Sequence, residues 1–331
     1  MGEVAAALLA VLVLASMPAL GVGLLRGHLL FGVIVPWAAM AVFIWGFLFK
    51  VIGWLASPVP FPITTVAGQQ RSLPWIKAQP LESPSTRGAV LGRMALEILL
   101  FRSLARNDRI ELKRAEKLVY GSSRYLWLGA LMFHWSLFFI LFRHLRFFTQ
   151  PVFPGVAAIE YVDGAFKVNL HALFATDVLA ALGLIYLFAR RLFSPQVRAI
   201  SLPADYFSLF LIIAVVATGI LMRQGFYVDV FKAKELAMGL ATFHPALPRG
   251  IGTLFYVHLF LASVLFAYFP FSKLMHGPGV FLSPTRNLRN DSRARRHANP
   301  WDHPVKVHTY EEWEDEFRTA MKGAGMPVEK E

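Results

Sequence analysis

Ten histidines and no cysteine bound the chemistry open to this 331-residue chain. Without thiols there are no disulfides, no cysteine-ligated zinc, no iron–sulfur clusters and no covalently attached c-type haem, so any redox group is held by histidine or carried by a partner. Four histidines stand out by position: His134 and His144, ten residues apart, and His258 and His276, eighteen apart, lie in or beside strongly apolar runs. A polar side chain is costly inside a membrane and usually faces a cavity, a cofactor or a partner. Two helices crossing in opposite directions, each with one histidine toward either side, can clamp two haems, because two neutral imidazoles on one iron make a low-spin centre suited to electron transfer. The antiparallel pairing is His144 with His258 for an outer haem and His134 with His276 for an inner one. Taken singly, each histidine could equally be an interhelical hydrogen-bond partner.

The elements that must position these residues follow from composition. The chain is 56% apolar, 14% aromatic and 16% charged, with a mean hydropathy of +0.51, whereas a soluble domain has about 25% charged residues. An all-α integral membrane bundle of six transmembrane helices is expected, at 4–25, 29–57, 125–142, 170–189, 206–222 and 253–271, each long enough to cross about 30 Å of hydrocarbon. The first run has Glu3 ahead of it and no basic residue before Arg26, so it reads as a retained helix and not a signal peptide. The connections on one side carry 24 Lys and Arg against eight on the other, which places both termini in the cytoplasm, beneath the cytoplasmic (inner) membrane. The net charge of +12 is then mostly an orientation signal, and no aromatic–basic motif points to nucleic acid.

The chain divides into residues 1–57 with two N-terminal spans, a cytoplasmic basic segment at 58–121, a four-helix core at 122–276 and a tail at 277–331. The basic segment opens on Pro58, Pro60, Pro62, Pro74, Pro80 and Pro84 and becomes helix-like from Val90 to about Lys117, a pattern suited to a helix on the membrane surface or against a partner. The tail run NPWDHPVKVHTYEEWEDEF cannot span, and docking on another protein is its most economical use.

Geometry tests the two-haem arrangement. Ten helical residues rise about 15 Å and fall about 80° short of whole turns, while eighteen rise about 27 Å in about five turns. Tilt, side-chain reach and a departure from helix around Pro270 to His276 must absorb the difference of about 12 Å.

Histidines ten apart in one span, then eighteen apart in a later stretch ending PFSKLMH, resemble the membrane subunit of respiratory nitrate reductases, a family that includes haem b subunits of heterodisulfide reductases and of sulfate-reducer membrane complexes. The extra first span, the basic segment and the tail extend the resemblance to the membrane subunits associated with dissimilatory sulfite reduction. The resemblance implies a di-haem cytochrome b of the nitrate reductase gamma type, with two haem b groups on His134, His144, His258 and His276. It implies oxidation of menaquinol to menaquinone, with electrons passed to a cytoplasmic iron–sulfur subunit of heterodisulfide reductase type. Further membrane subunits, a periplasmic multihaem cytochrome c and, indirectly, a small sulfur-carrier protein are the other implied partners.

Other residues are candidates for the same chemistry. Asp177 and His171, six residues apart and so about 120° apart on a helix, could each accept a quinol proton. Their plain alternatives are a hydrogen bond within the bundle for Asp177 and an interfacial position for His171. Arg143, Arg146 and Arg223, at outer span ends, could pair with haem propionates or snorkel to lipid headgroups. His28, His244, His297, His303 and His308 are read as structural or exposed. The competing class is a cofactor-free transporter or membrane anchor whose histidines line a proton path or pack helices; no inverted repeat favours it.

Overall fold

The structure, a computed structural model, describes residues 2–59, 75, 77–106, 109–113, 117–121, 123–164, 166–168, 171–291 and 307–330. His297, His303, Pro60, Pro62, Pro74 and the first half of the tail run lie outside the described residues. The chain divides into two compact units, one of residues Met1–Trp54 with Leu91–Ser283, the other of Leu55–Val90 with Pro284–Glu331.

The helices are α1 (Gly2–Gly23), α2 (Val35–Leu55) with a π-helical turn Leu30–Ile34 leading into it, α3 (Arg87–Leu100), α4 (Arg124–His144), α5 (Pro154–Asp163), α6 (Ala175–Phe193), α7 (Pro195–Ala199), α8 (Pro203–Gln224), α9 (Val230–Ala241), α10 (Thr253–Tyr268), α11 (His276–Leu282), α12 (Pro284–Asn287) and α13 (Tyr310–Gly323). Five stretches are long and apolar enough to cross a membrane: Gly2–Gly23, Leu30–Leu55, Arg124–Phe147, Pro203–Gln224 and Thr253–Phe271. α6 is less apolar, because its 19 residues carry Asp177, Arg190 and Arg191. The span expected at 170–189 is also displaced. Residues His171–Leu173 form strand β4, paired antiparallel with β3 (Phe166–Val168), so the helix begins only at Ala175 and His171 does not belong to it.

The fold is helical as expected, with two short hairpins added; the second, Arg109–Lys113 with Lys117–Gly121, takes the place of the end of the helix expected over 90–117. That helix stops at Leu100 because Phe101 adopts a left-handed conformation, φ 48°, in which a bulky residue cannot continue a right-handed helix. The Glu97 carboxylate then accepts the Ser103 backbone N–H at 3.1 Å and holds the following 3₁₀ turn.

In the first unit α4, α6, α8 and α10 pack in sequence, and α1 lies along α8 and α10. Two glycines set the α4–α6 approach: a Cβ on Gly183 would lie 3.0–3.2 Å from the Cβ, Cα and N of Phe133, and one on Gly129 would fall 2.5 Å from the Tyr186 ring. Ala7 and Val11 of α1 join Tyr206, Phe210, Leu211, Val257 and Leu261 in one apolar cluster. α10 ends in two 3₁₀ turns, Phe269–Phe271 and Lys273–Met275, before α11 starts at His276. This is the break that the histidine spacing requires. Pro270 is its physical cause, since it has no N–H to give the helix, and it is seated against Gly46 of α2.

In the second unit Asn290 donates from Nδ2 to Ser83 Oγ at 2.5 Å and from its backbone to Pro84 O at 2.7 Å. α13 starts on a capping box in which Thr309 and Glu312 each accept the other's backbone N–H. It presents Tyr310, Trp313 and Phe317 as a packed aromatic row. Behind it Glu314 accepts the backbone N–H of Glu329 at 2.7 Å and of Lys330 at 3.0 Å.

Two outcomes follow. Gly183→Val drives a branched side chain into the α4 backbone and should destabilise the protein by about 1–3 kcal/mol, read as a lower thermal midpoint in detergent; Gly88→Ala, with nothing within 4 Å of its added Cβ, should not lower it. The N–H groups of Glu329 and Lys330, with Arg318, hold the Glu314 carboxyl below the usual glutamate range. Its contribution is therefore present above the unfolded pKa and lost as pH falls through the lower folded value. Hydrogen exchange at Glu329 and Lys330, corrected for intrinsic rates, should stay protected at neutral pH and lose protection well below pH 4.5.

Candidate functional site

α4 carries His134 in its middle and His144 as its last residue, so both rings ride on one rigid element. α10 carries His258, and the break after Phe271 returns the chain so that His276 heads α11. The four rings meet in two pairs. His144 and His258 have centroids 6.4 Å apart and planes inclined by 16°; His134 and His276 are 5.9 Å apart and nearly perpendicular, at 89°. The pairing is the antiparallel one expected from the spacing.

The ring spacing has a chemical meaning. A metal–imidazole bond of about 2 Å plus about 1 Å to the ring centre, on each side, puts two imidazoles trans on one metal at roughly 6 Å between centroids. Among the described residues no group of three or more His, Asp or Glu is arranged to hold a metal. A metal at either pair would thus take its remaining ligands from outside the protein, as iron in a porphyrin does.

The outward nitrogens of the rings are already used. Nδ1 of His134 donates to the Ala130 carbonyl at 2.8 Å, Nδ1 of His144 to Ile140 at 2.7 Å and Nδ1 of His276 to Lys273 at 2.9 Å. A carbonyl only accepts, so Nδ1 carries the proton and Nε2 keeps its lone pair for a metal. His258 reaches the same state through Thr218: the hydroxyl gives its proton to the Ala214 carbonyl at 2.8 Å and accepts from Nδ1 at 2.9 Å. Thr218 was missed in the sequence, although a polar residue in a span is the signal that singled out the histidines.

Phe133 and Phe101 pack edge-on against His134 with centroids 4.9 and 5.0 Å away. Phe101 is held there by α4 itself, where Trp127 and Trp135 donate their indole N–H groups to the carbonyls of Leu100 and Leu99 at 2.6 and 2.9 Å. On the His276 side, Lys273 reaches Asp205 at 2.8 Å, and Asp205 caps α8 by accepting the Leu202 N–H.

At the His144 end the arginines are engaged differently from the expectation. Arg143 is buried and bonds Asp177 Oδ1 at 2.6 Å and Thr176 Oγ1 at 3.1 Å, with Asp163 at 3.4 Å. Asp163 in turn accepts the N–H and hydroxyl of Thr176. Two expected roles, a propionate partner for Arg143 and a proton acceptor for Asp177, therefore fall on residues that the fold pairs with each other. Arg146 donates to both oxygens of Glu160 at 2.9 Å. Arg223 and Arg143 both lie over the buried Phe174 ring, at 4.2 and 3.6 Å from its centroid, and among the described residues Arg223 has no carboxylate within ion-pair distance. His171 stands on β4, outside this helix cluster.

The nitrate reductase gamma subunit model matches residues 94–296, which hold both histidine pairs and the arginine cluster. The chain belongs to this family. Among its relatives, the Hdr-like menaquinol oxidoreductase cytochrome b-like subunit of Archaeoglobus fulgidus is 44% identical over 82% of this chain and 83% of its own. The subunit of the same description from Archaeoglobus profundus is 38% identical over 81% of both. The respiratory nitrate reductase 1 gamma chain of Escherichia coli is 31% identical over 45% of this chain and 69% of its own. The gamma-type match begins within α3, so α1, the π turn and α2 lie outside it.

Arg143 offers a direct test of this gamma-family site. Arg143→Leu leaves Asp163 and Asp177 facing each other without their cation, and should cost about 3–5 kcal/mol. Arg146→Ala breaks a partly exposed pair and should cost under about 1 kcal/mol. Thermal unfolding of the two variants side by side reads the difference.

Proposed function

We propose that this chain is a di-haem cytochrome b subunit that takes electrons from menaquinol and passes them to a soluble iron–sulfur partner of heterodisulfide reductase type. The observation that carries the proposal is two imidazole pairs, with centroids 5.9 and 6.4 Å apart and all four Nδ1 atoms committed elsewhere, so that each pair would offer two Nε2 lone pairs to one iron. The similarity to Archaeoglobus subunits described as Hdr-like menaquinol oxidoreductase cytochrome b-like supports the substrate and the cofactor. Haem b at each pair supplies a one-electron relay.

The chain's own residues hold and orient that relay. His144 and His258 would hold the outer haem, His134 and His276 the inner one. Their Nδ1 hydrogen bonds fix tautomer and ring plane and raise the basicity of Nε2. Arg223, stacked on Phe174 and without a carboxylate within ion-pair distance among the described residues, is the proposed propionate anchor; Arg143 and Arg146 instead tie α4 to α6 and α5 through Asp177, Asp163 and Glu160. Asp177, whose Oδ2 has no hydrogen bond among the described residues, and His171 are the proposed proton acceptors.

α6 is proposed as a sixth span. Its 19 residues rise about 28 Å, it packs between two apolar spans, Asp177 is paired inside the bundle, and Arg190 and Arg191 in its last turn can snorkel to the interface. Both termini are then cytoplasmic, and the His144 end is the outer one. The basic segment and α13 face the same side as the partner, which would serve dissimilatory sulfite reduction with a multihaem cytochrome c and a small sulfur carrier in the wider assembly.

Reduced-minus-oxidised spectra and a haem count test this. Two b-type haems per chain are expected, with His134→Ala and His276→Ala each leaving one, and His144→Ala and His258→Ala each leaving the other. Menaquinol should reduce both haems in the assembled complex. No reducible haem, or four variants that each keep two, would overturn the proposal.

A further inference from the structure

The phenol of Tyr256 poses a problem that the haem scaffold does not solve. The residue is 2% exposed, and among the described residues its hydroxyl has no hydrogen-bond partner. A buried hydroxyl left unpaired costs about 1–3 kcal/mol, and in lipid there is no water to relieve it. Tyr256 sits in an apolar cluster with Val22, Phe31, Val33, Leu236 and Phe260, so nothing around it in that cluster competes for the proton.

Three features surround this phenol. The His28 ring lies edge-on to it, 5.3 Å between centroids and 86° between planes, and His28 is itself exposed. It follows Arg26, a non-glycine residue held at φ 55°, in a tight turn whose backbone is hydrogen-bonded back onto α1 through Gly27 N–H to Gly21 O at 2.9 Å. Strained turns of this kind persist where surrounding structure enforces them, and they cluster at ligand sites. The chain then enters the π-helical turn Leu30–Ile34, closed by the Val35 N–H on the Leu30 carbonyl, and such wide turns recur at functional sites. Gly32 within it lets the Tyr256 ring come close, since a Cβ there would be 3.0 Å from Cε1. In the chain on either side of His28, Leu24, Leu25, Leu29, Leu30 and Ile34 are 46–80% exposed, an apolar rim next to the exposed imidazole.

We infer that Tyr256 and His28, framed by the π turn, form the seat of an isoprenoid quinol headgroup, with the Tyr256 hydroxyl donating to one quinol oxygen, His28 closing over the ring and the tail lying along the exposed leucines. The inference rests on the quinol oxidation proposed above and adds its place. An amphiphile with a small polar head and a long apolar tail matches both halves of the site. Tyr256 precedes His258 by two residues, about 3 Å of helix rise, and points to the other side of a helix about 10 Å across, so the headgroup sits one helix width from the His144–His258 pair. Neither His28 nor the π turn lies in the segment that matches the gamma-subunit model, so this seat belongs to the longer form of the subunit.

Tyr256→Phe and His28→Ala test the seat in the haem-loaded full chain, with a short-chain menaquinol as the probe. In Tyr256→Phe the quinol concentration for half-maximal haem reduction should rise about tenfold, the worth of one hydrogen bond, while the dithionite-reduced spectrum stays that of the parent. Menaquinone should raise the thermal midpoint of the parent by more than that of the variant at the same concentration. An azido-naphthoquinone should label the peptide spanning residues 24–34, in competition with menaquinone, and this readout stands even if a variant fails to fold. Equal half-saturation in parent and Tyr256→Phe, or labelling confined to other peptides, overturns the seat alone. Haems in the parent that dithionite reduces and menaquinol does not overturn the quinol proposal itself and the seat with it.

Discussion

Two pairs of imidazoles, each with ring centroids about 6 Å apart inside an apolar bundle, form the constraint from which the rest of the architecture follows. α4 and α10 must be rigid, because a displacement of about 1 Å at the helix axis is about half a metal–nitrogen bond length at the ring nitrogens. Glycine contacts supply that rigidity on the α4 side. Gly183 and Gly129 bring α6 so close that its backbone acts as a wall behind Phe133 and His134, and close backbone approach is the main source of helix association where lipid removes the hydrophobic drive. On the α10 side a continuous helix would carry His276 about 27 Å from His258, too far to meet a residue that lies only ten positions from His144. Pro270 and the two 3₁₀ turns shorten the path, and the Asp205–Lys273 ion pair ties the shortened segment to the first turn of α8.

The His144 end is governed by a second requirement, the burial of charge. Arg143, Asp163 and Asp177 would each be costly alone in a low-dielectric bundle, and they become tolerable only together. Their contacts span α4, α5 and α6, so the desolvation cost of any one is also a cost of separating those helices. Phe174 adds to this by offering its ring faces to two guanidiniums, an attraction that gains from the exclusion of water. Arg143 is thus a structural clamp placed one residue from a ring that must not move, and what that position demands is a fixed helix end.

The sequence was legible where one residue type in one medium leaves few options. Apolar runs in a chain with few charges marked the five stretches that form long apolar helices, and position in or beside such runs singled out the four histidines whose rings meet in two pairs. It was least legible where two fates share a composition. The stretch from Val90 to Lys117 has helical periodicity throughout, yet a single left-handed residue, Phe101, turns it into a 3₁₀ segment and a hairpin, and that conformation is set by the indoles of Trp127 and Trp135 about 30 residues away. His171 looked like a helix residue because the apolar run begins before it, and only strand pairing with Phe166–Val168 removes it. Arg143 and Asp177 were visible as charges, but their partnership depends on a register between α4 and α6 that no local pattern encodes.

α10 binds these strands together. Its surface is predominantly apolar, as in a membrane-spanning helix, and it is partly covered by its neighbours, with Phe266 41% exposed. Its faces are taken by α8 with Thr218, by α1 through Val257 and Leu261, and by the π turn through Tyr256. The N-terminal spans, though outside the segment shared with the nitrate reductase gamma model, are therefore part of the wall around the helix that carries His258. The Tyr256 hydroxyl, buried and without a hydrogen-bond partner among the described residues, lies on the face of this helix that those added spans cover. The extra helices and the unpaired phenol thus have a common location, and a shared purpose in seating a ligand accounts for both with one cause.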